Sequence, residues 1–106
     1  MLKINKQLNR PDGGEVQSGS VIKYDVRLNT KSSTVWFFLN HYISEDTLNE
    51  GKQNISKINE FNYKLYRECS QVEWDMLNDS NSAELVAGWL LELIENKIGS
   101  GYIQII

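Results

Sequence analysis

Any chemistry in this chain would have to start from one histidine, His41, and one cysteine, Cys69. A lone histidine builds neither a His-based metal cage nor a two-histidine proton relay. His41 shares an alternating face with Leu39 and Ile43, which predicts a buried or interface imidazole. Cys69 has no second thiol for an intrachain disulfide and reads as a small buried residue near a strand end. Nothing beside either residue resembles a nucleophile motif, although a Cys69–His41 pair is a matter for the fold to decide. Carboxylates gather at Glu45, Asp46 and Glu50, and again at Glu68, Glu73, Asp75 and Asp79. Paired acids can hydrolyse or hold a hard cation. Both groups fall in loop or helix-start contexts, where solvation and helix dipoles already favour acids. Asp75 to Glu84 faintly evokes a calcium loop but has neither its central glycine nor its register.

Gly13 and Gly14 precede a strand rather than a helix and lack any phosphate-loop pattern, so they predict a turn. Trp36, Phe38, Tyr42, Tyr63, Tyr66 and Trp74 could line a platform for sugars or bases. Aromatic residues in strands more commonly serve a core or a protein interface. The residues therefore predict no enzyme and no cofactor.

Composition narrows the class. With 106 residues, 41% hydrophobic and 24% charged, the chain has enough apolar material for one domain over 1–106. The net charge of −3 argues against a nucleic-acid partner. The basic residues Lys3, Lys6, Arg10, Lys23, Arg27, Lys57, Lys64 and Arg67 are also spread out rather than clustered. The first eight residues alternate instead of forming an apolar leader, and no run is long enough for a membrane span. A reducing cytoplasm fits the single thiol, and the sequons at Asn54 and Asn78 carry no weight without a leader.

The elements that would position these side chains follow from periodicity. Leu2, Ile4 and Leu8 roughly alternate with polar residues and predict a first strand. Asn9 to Gly14, including Pro11, Asp12, Gly13 and Gly14, is a dense turn signal, so residues 9–19 read as a flexible loop. From Ser20 to Leu28, Ile22, Tyr24, Val26 and Leu28 oppose Lys23, Asp25 and Arg27, as in a half-buried strand. Thr34 to Ile43 is apolar on both sides: Val35, Phe37, Leu39 and Ile43 on one, Trp36, Phe38 and Tyr42 on the other. Such a strand needs cover from above and below, and a short chain has little left to supply it.

Ser44 to Gly51 predicts a turn or one helical turn, and Phe61, Tyr63 and Leu65 alternate as part of a later strand. Ser70 and Glu73 match a capping box opening a short helix through Leu77, which is stopped at 78–81. A second helix starts at Asn81 or Ser82, runs to about Lys97 and ends at Gly99. Its apolar arc of Leu85, Val86, Trp89, Leu90, Leu91, Leu93 and Ile94 leaves only a narrow polar remainder at Glu84, Gly88, Glu92 and Glu95. Tyr102 to Ile106 closes the chain as an edge strand that could pair with another subunit. The sum is an α+β domain, a mostly antiparallel sheet of about four to five strands with two helices in the C-terminal half.

Lys3-Ile4-Asn5-Lys6, Pro11-Asp12-Gly13-Gly14-Glu15-Val16 and Ser18-Gly19-Ser20-Val21 lead into the alternating strand. Together with the helix–Gly–strand ending at 82–106, this layout resembles small virion structural proteins of tailed bacteriophages from Bacteroides-type hosts. The sharp part of the likeness covers about twenty residues, and it carries no catalytic or binding residues. It implies a non-catalytic ring or collar subunit of a phage tail or head–tail connector. Such a subunit would be a homo-oligomer touching other virion proteins, assembled in the host cytoplasm and resident in the virion. Candidate interface residues are Trp36, Phe38, Tyr42, Leu91, Tyr102, Ile103 and Ile105, with the Pro11–Gly14 turn ordered against a neighbour. The alternative is a monomeric acidic protein-binding module of immunity or inhibitor type.

Overall fold

A computed structural model describes residues 1–51, 55, 57–77 and 82–106. The sequons at Asn54 and Asn78, the Asp79 carboxylate, the stop at 78–81 and the Asn81 cap lie outside the described residues. The fold is α+β. Strands β1 (Leu2–Ile4), β4 (Ser20–Asn29), β5 (Thr34–Tyr42), β6 (Lys64–Glu68) and β7 (Ile103–Ile105) form one sheet in the order β6-β5-β4-β1-β7. Every neighbouring pair in it is antiparallel. Helices α1 (Glu45–Asn49), α2 (Gln71–Met76) and α3 (Ser82–Ile98) complete the domain, and a small hairpin joins β2 (Leu8–Asn9) to β3 (Glu15–Val16).

That hairpin replaces two expectations. The first strand is split, and the segment read as an open loop over 9–19 carries a paired ladder with Leu8 and Val16 buried. Its turn is tied internally: Arg10 N donates to Gly14 O at 2.8 Å, and Gly14 N donates to the Asp12 carboxylate at 2.8 Å. Asn9 is held in turn by Glu60, whose carboxylate accepts from its backbone and side-chain amides. Two-residue strands are too short for periodicity to register.

The alternation in β4 and β5 sorts the sheet into two faces. Leu2, Ile4, Ile22, Val35, Phe37 and Leu39 lie on the inner one and share a core cluster with Val86, Trp89, Leu90, Ile94 and Ile98 of α3. Ile55, Ile58 and Phe61 join the same cluster. The chain there continues the β5 edge, with Ile55 N donating to His41 O at 2.6 Å and Leu39 N to Tyr63 O at 2.7 Å. Three expected inner positions differ. Val26 and Leu28 have the predicted parity, yet they are 37% and 53% exposed, because they sit toward the hairpin end of the β4–β5 ribbon. Ile43 is 59% exposed, since β5 ends at Tyr42 and α1 begins three residues later, at Glu45.

Both short helices start at reciprocal capping boxes, Ser44 with Thr47 and Ser70 with Glu73, as the Ser70 signal predicts. The long helix ends at Gly99, whose φ of +96° favours glycine. There Lys6 Nζ donates to Ile98 O at 2.8 Å, placing a cation against the negative end of the α3 dipole. A Cβ at Gly99 would come within 3.3 Å of the Tyr102 ring. Gly99→Ala is therefore expected to cost about 1–2 kcal/mol, from the left-handed backbone together with that contact. Urea unfolding checks this as a lower midpoint with an unchanged slope.

Candidate protein-binding face

The outer face of the sheet is where unusual side chains meet. Cross-strand register sets Arg27 opposite Trp36 and Trp36 opposite Tyr66, while Phe38 stands between Asp25 and Lys64. Trp36 and Tyr66 rings lie 5.0 Å apart at a 40° tilt. Lys64 Nζ sits 4.7 Å from the Trp36 ring centre and 5.5 Å from that of Phe38. From the other side the Arg27 guanidinium lies 4.9 Å from the Phe38 ring. Cations over ring faces are drawn by the aromatic quadrupole, so the patch is basic and apolar at once. Trp36 and Phe38 are half-buried and Tyr66 is 53% exposed. A shallow depression of about 430 Å³ between Arg27, Asn29, Lys31, Trp36, Phe38 and Lys64 runs into this patch.

Of the predicted interface residues, Trp36 and Phe38 come together here. Tyr42 belongs to the same face but lies toward its far end, opposite Val21, which is fully buried; α1 packs against these two strands. Leu91 is half-buried on α3, outside the core cluster. Tyr102, Ile103 and Ile105 gather at the β7 edge. There Ile103 packs on the core, Ile105 is 57% exposed and Tyr102 lies under Lys6 Nζ at 4.6 Å. Pro11, Asp12 and Gly13 are exposed at the hairpin tip, with Gly14 half-buried beside them. Arg27 and Lys64 are absent from the sequence-derived set. Their parity with Trp36 and Phe38 was readable, but the register that lays them over the rings was not.

The two lone reactive residues are held apart. Cys69 follows β6 and donates its backbone N–H to Ser33 O at 2.9 Å, beside the start of β5, whereas His41 is near that strand's other end. His41 lies seven strand steps beyond Thr34, a distance of about 23 Å. A Cys–His pair does not form. Burial pushes the Cys69 thiol up, toward its unreactive protonated form, with the Glu73 charge adding to the effect. His41 is 1% exposed, shares a 2.8 Å hydrogen bond between Nε2 and Ser20 Oγ, and stacks on Phe61. Burial lowers its pKa to about 4.

On the inner face Arg67 is a half-buried charge with partners. Its guanidinium pairs with Glu73, reaches Glu92 at 3.7 Å and lies 4.9 Å from the Trp89 ring. The backbone amide of Ser70 and the Arg67 guanidinium hold the Glu73 carboxyl down to about 2. This cluster ties β6 to α2 and α3; it is braced rather than poised. Among the described residues no three His, Cys, Asp or Glu side chains converge as a metal set, and no helix is long and apolar enough to cross a membrane. Compared with known proteins, the chain matches no protein-family model, no curated protein and no solved structure.

Proposed function

We propose that this chain is a non-catalytic structural subunit that assembles with protein through the open face of its sheet. The observation that carries the reading is the half-exposed aromatic group Trp36–Phe38–Tyr66 on β5 and β6. A chain that folds for its own sake has no need to place its bulkiest apolar side chains on a face that it does not cover. Aromatic residues and arginine are also the types enriched where protein surfaces meet. Covering what these three rings still expose removes at most about 250 Å² from water, worth roughly 6 kcal/mol or less. Association costs about 4–15 kcal/mol, so this patch is the centre of a contact that must extend beyond it.

The finer reading is a ring or collar subunit of a phage tail or head–tail connector. It is supported by the likeness of residues 3–21 and of the 82–106 ending to virion structural proteins, and it makes other copies and other virion proteins the partners. Sedimentation velocity across a wide concentration series tests the coarser proposal. The wild-type chain is expected to show mass above that of one 12.2 kDa copy. Trp36→Ala is expected to weaken association at least tenfold while its circular dichroism is retained. A wild-type chain that sediments as a single copy at every concentration overturns the reading. A Trp36→Ala chain that unfolds returns the indole to the core.

A further inference from the structure

Opposite the open sheet face, the solvent side of α3 carries a different surface. Glu84, Gly88, Leu91 and Glu95 follow one another at i, i+4, i+7 and i+11, all within about 40° of one line along the helix. That line points away from Val86, Trp89 and Leu90, which face the core, while the buried Ile94 and Ile98 flank it on the Leu91 side. A glycine inside a helix costs about 1 kcal/mol relative to alanine. At Gly88 nothing in the chain requires it, since an added Cβ would meet no atom within 4 Å. Beside it Leu91 is half-exposed and outside the core cluster. The result is a low, acidic helix face with one apolar side chain.

The two outer surfaces are complementary. The outer sheet face presents Lys23, Arg27 and Lys64 around its rings, against Asp25 and the more distant Glu68, on a chain whose net charge is −3. We infer that the open sheet face of one copy receives the α3 solvent face of the next, Leu91 entering the aromatic patch and Glu84 and Glu95 meeting Arg27 and Lys64. This rests on the assembly reading and names its partner surface. Because the two patches lie on opposite sides of a two-layer molecule, the contact is head-to-tail. Such contacts propagate into rings when the rotation closes and into filaments when it does not. Gly88 lets the helix backbone approach the rings, in the way small residues allow close packing elsewhere. The long side of a molecule measuring 41 × 25 × 25 Å has room for the ~800 Å² per partner that stable contacts bury.

The test uses the full chain in sedimentation velocity. Gly88→Lys puts a strong helix former at an exposed site, so the copy folds at least as well, while a long cation now stands on the acidic face. It is expected to weaken self-association at least tenfold. A doubly reversed sheet face (Arg27→Glu with Lys64→Glu) and a doubly reversed helix face (Glu84→Lys with Glu95→Lys) are each expected to stay single-copy. Mixed together, the two are expected to associate again as an alternating head-to-tail row, because the reversed sheet meets the reversed helix and the unreversed sheet meets the unreversed helix. If the wild type self-associates and Gly88→Lys does so equally well, the head-to-tail contact is overturned and the assembly reading stands. If the wild type never associates, both fall. If a single-stranded oligonucleotide binds the wild type, loses binding in Trp36→Ala and ignores Gly88→Lys, the face serves nucleic acid and the inference is overturned.

Discussion

Phe37→Ala is expected to cost about 3–5 kcal/mol, and Phe38→Ala, one residue along the same strand, about 1–2 kcal/mol. Phe37 is fully buried on the inner face, opposite Val26 on one side and Leu65 on the other. Removing its ring leaves a cavity between the sheet and α3 that the surrounding side chains fill only in part. Against a typical 5–15 kcal/mol for a domain, that loss lowers the melting temperature by roughly 15–30 °C. Phe38 is half-buried, and its ring contacts are with Arg27 and Lys64, whose charges remain solvated when the ring is gone. Exposed cation–π contacts contribute about 0.5–1 kcal/mol each at most. The two variants should therefore separate stability from assembly. Urea midpoints fall steeply for Phe37→Ala, while sedimentation changes for Phe38→Ala with a far smaller loss of stability. Equal midpoints for both variants would show the outer face to be as enclosed as the inner one and would remove the basis for a docking surface.

This contrast was legible in the sequence because a strand reports its two faces through alternation alone. Ile22, Tyr24 and Val26 against Lys23, Asp25 and Arg27 leave one reading, and the doubly apolar Thr34–Tyr42 strand beside them already asks for a second cover. The long helix was equally readable, from Glu84 in its first turn to Gly99 past its end. What could not be read is everything set by long separations. Lys6 caps α3 at Ile98, ninety-two positions away, and lies over Tyr102; nothing near Lys6 in the chain signals either contact. Arg67 has the inner-face parity of Leu65, and its half-buried charge is held there by Glu73, Glu92 and Trp89, which arrive from two other elements. Arg27 and Lys64 come from strands on either side of β5, so only the paired register brings both over Phe38. Local pattern marks the face. Register makes it basic.

His41 turns the inner face into a source of pH dependence. The folded chain holds the imidazole neutral down to about pH 4, because burial opposes its charged form, whereas the unfolded chain protonates it near 6.5. Above pH 6.5 neither state binds the proton, and His41 adds no slope. Between 6.5 and 4 the unfolded state binds more protons than the folded one, so stability is lost as pH falls through that window. The full loss is about 3 kcal/mol, reached as the folded pKa is crossed, and below that the slope from this residue vanishes. The effect is separable from acid-side losses at carboxylates. Glu73, held down to about 2, favours the fold while ionised and gives up that contribution only from about 4.5 downward. Because the chain has one histidine, the window from pH 6.5 to about 5 belongs to His41. Urea midpoints measured there should fall for the wild type and stay level for His41→Gln, which can still hydrogen-bond Ser20. A wild-type imidazole proton resonance that titrates near 6.5 in the folded protein would mean that the ring is solvated, and the inner face at that end of β5 would be open to water.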